Sequence, residues 1–408
     1  MDVGYSQQHY KYLKLLVVQG SGPNLMGRDW LRVVKLDWRT IGKVAMSESS
    51  LEGRVAALQD KYQEVFSETL GTITPFQAKL NVAKDATPKF FKPRSVPFAL
   101  RERVENELDR LENEGVLEKT TYSEWAAPIV AVPKRDGRLR LCGDYKVTVN
   151  PVLDVDQYPL PKPDDIFATL SGGKKYTTLD LSHAYNQLLL DEDSRKYVTI
   201  NTPKGLYRYT RLPFGIASAP AIFQRTMDSI LQGVEGVACY IDDIIITGKT
   251  DEEHLEHLEE VLRRLLRHGV HVKWAKCRFL QPSVDFLGHR VDAEGIHTTE
   301  DKLQAIVQAP APKNIQELRS FLGLIKYYGK FISNAATILN PLNNLLHKDV
   351  KWKWSKECQS SFELAKEKLI SSKVLMHYTP SLPIRMAGDA SAYGIGAVIA
   401  HIQTDEMS

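Results

Sequence analysis

Two adjacent aspartates, Asp242 and Asp243, stand inside the run CYIDDIIITG, which otherwise reads as a buried strand. Val237, Ala238, Cys239 and Tyr240 lead in, and Ile244, Ile245 and Ile246 lead out. Removing an unpaired carboxylate from water costs several kcal/mol, and two side by side repel each other. No basic residue follows before Lys249. The pattern therefore predicts a hairpin tip that binds a metal. Mg²⁺ suits it, because that ion takes hard oxygen ligands, usually one or two carboxylates completed by water and substrate phosphate. Successive strand residues point to opposite faces, so one aspartate should face the metal and the other stand beside it. A third carboxylate must complete the set. Asp180 in TTLDLSHAY, another lone acid in an apolar strand, is the candidate. Two ions ~4 Å apart would then activate an attacking hydroxyl and stabilise the leaving oxygen of a phosphoryl group. Taken singly, IDD is also readable as a surface turn and Asp180 as a loop acid.

Other elements must position these acids. The 408 residues suggest two to four domains, with 43% apolar and 25% charged residues, the balance of an ordinary soluble protein. No apolar run approaches the ~20 residues of a membrane span, and polar residues follow Met1, so neither a membrane partner nor a signal peptide is expected. Cys142, Cys239, Cys277 and Cys358 are too scattered for a zinc ribbon or a disulfide framework, which implies a reducing compartment.

Strand-like pieces occupy the first 40 residues, and a looser stretch with one short helix, LEGRVAALQDKYQEVF, reads as a linker. ALRERVENELDRLENEG follows as a helix with Val104, Leu108 and Leu111 on one face and Gly115 as its stop. Asp136-Gly137 between two β-rich runs is a hairpin signal. SAPAIFQRTMDSIL predicts a helix with Pro220 in its first turn. TDEEHLEHLEEVLRRLLRHG predicts another, with Thr250 and Glu253 as a capping box and Gly269 at its end. Strands and helices mix without strict βαβ order, so the class is α+β.

Charge distribution says more than the net +3. From Val261 to Val284 there is no acid, while Arg263, Arg264, Arg267, Lys273, Lys276 and Arg278 form either a solvated face or a phosphate-binding stripe. His254 and His257 lie among glutamates without a third soft ligand and read as a solvated helix face rather than a metal site.

YIDD after an apolar strand, with LDLSHAYNQLLL upstream, resembles reverse transcriptase, and more narrowly the Pol polyprotein of Gypsy-class LTR retrotransposons. WAAPIVAVPKRDGRLRLCGDY resembles that family's fingers hairpin, YTRLPFGIASAPAIFQ the segment against the templating base pair, and VDFLGHRVDAEGI its primer grip. KNIQELRSFLGLIKYYGKFI resembles the segment after the polymerase core. The resemblance implies a right-hand polymerase of fingers, palm and thumb with an antiparallel palm sheet, and an incomplete ribonuclease H-like α/β domain. It implies a protease remnant at 1–40, a linker at 41–92, fingers and palm at 93–292, thumb or connection at 293–347, and the start of the ribonuclease H-like domain at 348–408.

Carried over by position, Asp180, Asp242 and Asp243 match the metal-binding triad. Asp180 and Asp242 would ligate two Mg²⁺ ions, for which Mn²⁺ can substitute, and Asp243 would support the site. Arg140, with Lys134 or Arg135, matches the residues that hold the incoming dNTP, and guanidinium groups do pair bidentately with phosphate oxygens. Tyr185 matches the position under the nucleotide sugar, and Phe214 and Gly215 the residues near the nascent pair. Phe286, Leu287, Gly288 and His289 fall in the primer grip. On bland readings, Tyr185 is a core tyrosine and Phe214-Gly215 a tight turn.

The implied activity is RNA-directed DNA polymerisation on an RNA or DNA template-primer. The alternative is a catalytically silent fragment that at most binds nucleic acid. GPNLMGRDWL resembles the C-terminal part of a retropepsin-type protease, and GDASAYGIGAVIA the first ribonuclease H strand, with Asp389 as its first carboxylate. Without their remaining acids, neither protease nor ribonuclease H activity is expected. The resemblance also implies other Gag and Pol products as partners, and a cytoplasmic retroelement particle or the nucleus as location. The oligomeric state stays open.

Overall fold

A computed structural model of the protein describes residues 3–5, 8–10, 51–133, 137, 139–332, 334–348, 350–371, 375–377, 382–391 and 394–401. The chain divides into two compact units, residues 1–60 and 61–408. In the first, β1 (Val3–Tyr5) and β2 (Gln8–Tyr10) form an antiparallel pair, and α1 (Leu51–Lys61) buries no side chain. The strand-like pieces expected between Tyr12 and Leu31 lie outside the described residues.

The second unit begins with a strap where the sequence predicts a linker. From Tyr62 onward residues 41–92 are not a linker: Tyr62, Val65, Ile73, Ala78 and Leu80 are buried. Thr72, Ile73 and Thr74 donate their N–H groups to the carbonyls of Gly269, Gln187 and His268 at 3.0, 2.8 and 3.0 Å. β3 (Gln77–Ala78) also pairs in parallel with a later strand. The partners lie over a hundred residues away, so the local pattern carries no period to announce them.

α2 (Phe98–Asn113) buries Val104, Leu108 and Leu111 and stops at Gly115, whose φ is +66°. Five strands follow on one sheet: β4 (Leu117–Thr120), β5 (Ala127–Pro133), β6 (Leu139–Gly143) and, further along the chain, β9 (Thr199–Thr202) and β10 (Gly205–Tyr209). β5 and β6 form the antiparallel hairpin expected around Gly137. Between β6 and β9 lie α3 (Pro163–Thr169), β7 (Lys175–Asp180), β8 (Leu189–Leu190), which is the partner of β3, and α4 (Glu192–Arg195).

α5 (Ala219–Leu231) has Pro220 in its first turn. It leads into the hairpin of β11 (Val237–Tyr240) and β12 (Asp243–Gly248), then α6 (Asp251–Arg267) and β13 (Arg278–Gln281). The antiparallel sheet β11-β12-β7-β13 is the frame of the acids. α5 packs on β11 and α6 on β12. α6 buries Leu255, Leu258, Val261, Leu262 and Leu265 at helical spacing, and the Thr250 hydroxyl accepts from Glu253 N at 3.2 Å. Glu253 returns its carboxylate to Lys249 N rather than to the cap residue.

The histidines depart from the expected solvated face. His254 is 1% exposed and meets Thr177 Oγ1 at 2.8 Å, and His257 Nδ1 meets the Thr247 carbonyl at 2.8 Å. His254 lies one turn before Leu258, on the stripe that packs against the sheet.

β14 (Ser283–Phe286), β15 (His289–Asp292) and β16 (Ile296–Thr298) form a three-stranded sheet. They share one apolar core with α7 (Glu300–Gln308), α8 (Ile315–Tyr327), α9 (Ala335–Asn344) and α10 (Lys356–Ile370). Phe321 of α8 and Phe362 of α10 have ring centroids 4.6 Å apart, so packing runs through the boundary that the sequence places at 347/348. β17 (Ile384–Ser391) and β18 (Gly394–His401) form a final antiparallel pair. Among the described residues no helix is long and apolar enough to cross a membrane.

Candidate active site

Strand register brings the acids together. Asp243, the first residue of β12, pairs directly with Asp180, the last of β7. Residues opposite each other in an antiparallel pair project on the same face. Asp242 sits in the two-residue turn before β12, and its carbonyl accepts from Leu181 N at 2.9 Å. Ile244, Ile245 and Ile246 are fully buried behind the turn and fix the register.

The three acids face two cavities. One of about 610 Å³ is bordered by Asp180 and Asp242, the other of about 390 Å³ by Asp180 and Asp243. Asp180 is common to both. Burial, then Asp242 and Asp180, raises the Asp243 carboxyl to about 6. Asp242 is open to solvent at the turn, yet the protein around it desolvates its carboxylate and raises its pKa. Lys276, expected in the basic stretch but not as a partner of the acids, donates to both Asp180 oxygens at 3.0 and 2.8 Å and lines both cavities.

Arg140, Phe214 and Asp242 line the larger cavity. The Arg140 guanidinium lies 4.7 Å from the Phe214 ring centroid, within cation–π range. Phe214 and Tyr185 have ring centroids 5.0 Å apart, and Tyr185 meets Phe223 edge-on at 5.4 Å. Burial, then Asp242, raises the Tyr185 hydroxyl to about 12. Gly215 has φ +96°, and a Cβ there would stand 3.2 Å from the Gly143 carbonyl, so the position serves a tight turn. Arg110, also on this wall, is held by two bonds to Glu107 and one to Glu114. Lys134 and Arg135 lie outside the described residues.

The β14–β15 turn borders the smaller cavity through Phe286 and Leu287, with Arg278 and Arg290 beside them. Leu287 and Gly288 both have positive φ, +45° and +69°. Tyr327 and Tyr328 at the end of α8 donate their hydroxyls to the carbonyls of Leu287 and Gly288 at 2.6 and 2.8 Å. Phe286 and His289 are buried, His289 among Phe167, Tyr327, Tyr328 and Phe331. They hold the hairpin, while Leu287 and Gly288 form its tip.

The basic stretch is not one stripe. Arg263 and Arg264 grip Glu260, and Arg264 also donates to the carbonyls of Ile230 and Gln232. Lys273, Lys276 and Arg278 do reach the cavities. Asp389 lies in β17, in register with Gly396, and its side chain is outside the described residues, as is GPNLMGRDWL.

As a donor set the three carboxylates fit a hard divalent cation, and crowding of negative charge around Asp243 favours one. Among the described residues no group of three or more His, Cys, Asp or Glu is arranged to hold a metal ion.

Residues 132–291 match the family model described as reverse transcriptase (RNA-dependent DNA polymerase), and residues 354–408 match that of the RNase H-like domain found in reverse transcriptase. An uncharacterized protein of Caenorhabditis elegans, K02A2.6, is 36% identical over 338 residues, 81% of this chain and 26% of that protein. The transposon Tf2-3 polyprotein of Schizosaccharomyces pombe is 36% identical over 283 residues, 69% of this chain and 21% of the polyprotein. The chain thus spans about a quarter of the length of the curated relatives it matches.

A foamy viral protease-reverse transcriptase solved with double-stranded DNA superposes with a TM-score of 0.78 at 25% identity, covering 95% of this chain and 70% of that one. The same viral enzyme with an RNA/DNA hybrid gives 0.75 at 25% identity, covering 90% and 53%. The fold is that of a right-hand polymerase. The chain carries a reverse transcriptase domain and an RNase H-like domain, and over most of its length it is similar to transposon polyproteins.

Proposed function

We propose that the chain is an RNA-directed DNA polymerase that joins dNTPs to a primer 3′-hydroxyl on an RNA or DNA template. The observation that carries this is the placing of Asp180 between two cavities: one with Asp242, Arg140 and Phe214, the other with Asp243 and the Leu287 turn. Asp180 and Asp242 would hold two Mg²⁺ ions, or Mn²⁺ in their place, with Asp243 supporting. Bound there, the ions would lower the pKa of the attacking hydroxyl and neutralise the leaving phosphate.

Arg140 pairs with triphosphate oxygens, helped by Lys134 or Arg135. Phe214 backs its guanidinium, and Tyr185, packed on Phe214 and within the field of Asp242, would meet the sugar. Gly215 lets the loop approach the base pair. Leu287 and Gly288, tied by Tyr327 and Tyr328, steady the primer end, and Phe286 and His289 anchor them. Template contacts fall on phosphates, so binding weakens with salt and ignores sequence. The nucleic acids in the foamy viral structures support this partner. A retroelement particle in the cytoplasm, or the nucleus, is the setting, with other Gag and Pol products as partners.

A second reading, nucleic-acid binding without catalysis, is favoured by one observation: Lys276 already neutralises Asp180. Primer extension on a homopolymer RNA template separates the two. The wild type should extend, and Asp242→Asn should lose incorporation at least ~1,000-fold with hybrid affinity within about twofold, because charge at the metal site is lost while phosphate contacts stay. An inactive wild type, or an active Asn variant, refutes the proposal.

A further inference from the structure

Ile241 is the first of the two turn residues between β11 and β12, and its φ is +55°. A positive φ at this place in a two-residue hairpin normally takes glycine, and a β-branched side chain is strongly disfavoured there. Besides the Cys239 thiol, which reaches the Ile241 carbonyl at 3.6 Å, one side chain holds the turn in that state. Gln224, on α5 and fully buried, accepts from Ile241 N at 2.7 Å and donates to the Cys239 carbonyl at 2.9 Å. Its amide nitrogen also donates to Asp228 Oδ1 at 2.8 Å, and Asp228 accepts the Tyr158 hydroxyl at 2.7 Å. The amide has one orientation, since a flip would set its NH₂ against the Ile241 N–H. It spans the turn from Cys239 to Ile241, immediately before Asp242.

We infer that Gln224 is a positioning residue that holds Ile241 in the left-handed region and thereby aims Asp242 into the larger cavity beside Asp180. The inference rests on the polymerase reading for its consequence but not for its geometry. Without the amide, Ile241 relaxes to negative φ and Asp242 turns with it. Triphosphate binding, which uses Arg140 and Phe214 on other elements, stays.

The test combines Gln224→Met, close in size but unable to bond, with Ile241→Gly, which accepts positive φ freely. Amide exchange at Ile241 reads the turn without turnover. Gln224→Met should speed it at least ~100-fold while Ile244, Ile245 and Ile246 stay protected, which also shows that the fold is intact. In primer extension Gln224→Met should lower kcat about 30-fold, ~2 kcal/mol, with KM for dNTP within about twofold. In the Ile241→Gly background the same change should cost no more than ~3-fold in kcat, because the glycine no longer needs the restraint. Unchanged exchange at Ile241 overturns the inference whatever the enzyme does, and so does an equal loss of kcat in both backgrounds. If exchange responds as stated but the wild type never extends a primer, the positioning role stands and the polymerase reading falls.

Discussion

Replacing Tyr185 by valine tests whether its ring selects the sugar. The ring touches Phe214 at 5.0 Å and Phe223 at 5.4 Å between centroids, and its hydroxyl feels Asp242. It packs behind Phe214, a residue of the larger cavity's wall, and within the field of Asp242, and the polymerase reading sets the sugar of a bound dNTP against it. A 2′-hydroxyl is one added atom, and a wall rejects it better than a pocket that merely fails to bond it. Valine removes the wall. The ratio of kcat/KM for dNTP over rNTP should fall about a hundredfold, ~2.7 kcal/mol. The rate with dNTP should fall less than ~10-fold, since Arg140 and the acids remain. Stability should drop by about 2–3 kcal/mol, from two lost aromatic contacts and the space left behind.

Tyr185→Phe is the control. With its pKa near 12 the hydroxyl is neutral at assay pH, so its loss removes no charge and the ratio should move less than ~3-fold. Single-nucleotide kinetics with matched dNTP and rNTP read both variants. A valine variant that loses stability and both activities together, with the ratio unchanged, makes Tyr185 a core residue only and refutes the argument.

Two further outcomes concern the frame. Burial lowers the His254 pKa from 6.5 to about 4, opposed by a hydrogen bond with the Lys175 backbone and, less, by Asp251, and reinforced by the charges of His257 and Lys175. The unfolded chain takes up this proton below pH 6.5 while the folded chain refuses it until about 4, so stability falls as pH drops through that window, by up to ~3 kcal/mol. Urea unfolding of wild type and His254→Gln at pH 7.5, 6 and 5 should show about 2 kcal/mol of convergence between the two curves by pH 5, and parallel curves would contradict it. Gly248→Ala would set a Cβ 2.4 Å from the His254 backbone nitrogen and should cost ~2 kcal/mol or more, because helix α6 cannot retreat. Gly137→Ala, with φ +81° but nothing within 4 Å, should cost about 1 kcal/mol in the same melt, and equal losses would show that the contact is relieved elsewhere.

What the sequence made legible was local. Acids in apolar strands stand out because burial penalises them, and Asp180 and Asp243 needed only strand register to meet, with Asp242 beside them in the turn. Asp136-Gly137, Gly115, Pro220 and Thr250 each act within a few residues, and the elements around them formed as their chemistry requires. His254 was legible and misread: it falls on the same helical stripe as Leu258, while its glutamate neighbours suggested solvent. The strap from Tyr62 to Leu80 was not legible, because its hydrogen bonds end at Gln187, His268 and Gly269. The pairing of Lys276 with Asp180, beyond its place in the basic stretch, and the role of Gln224 were missed for the same reason. Nothing beside Lys276 in sequence points to an acid 96 residues away, and nothing in AIFQRTMD says that its amide reaches into a turn.

The division of labour among the acids then follows from one register and one strained residue. Asp243 shares a face with Asp180 because they are direct strand partners. Asp242 escapes that face because it belongs to the turn and not to the ladder. A slip of one residue between β7 and β12 would carry Ile244 opposite Asp180 and bury an isoleucine against a carboxylate, while Asp243 left the pair. The apolar run behind the turn forbids that slip, since Ile244, Ile245 and Ile246 are all fully buried and Ile244 and Ile246 project from opposite faces to Ile245. The same isoleucines that made the two aspartates look out of place are what hold Asp180 at the edge of both cavities.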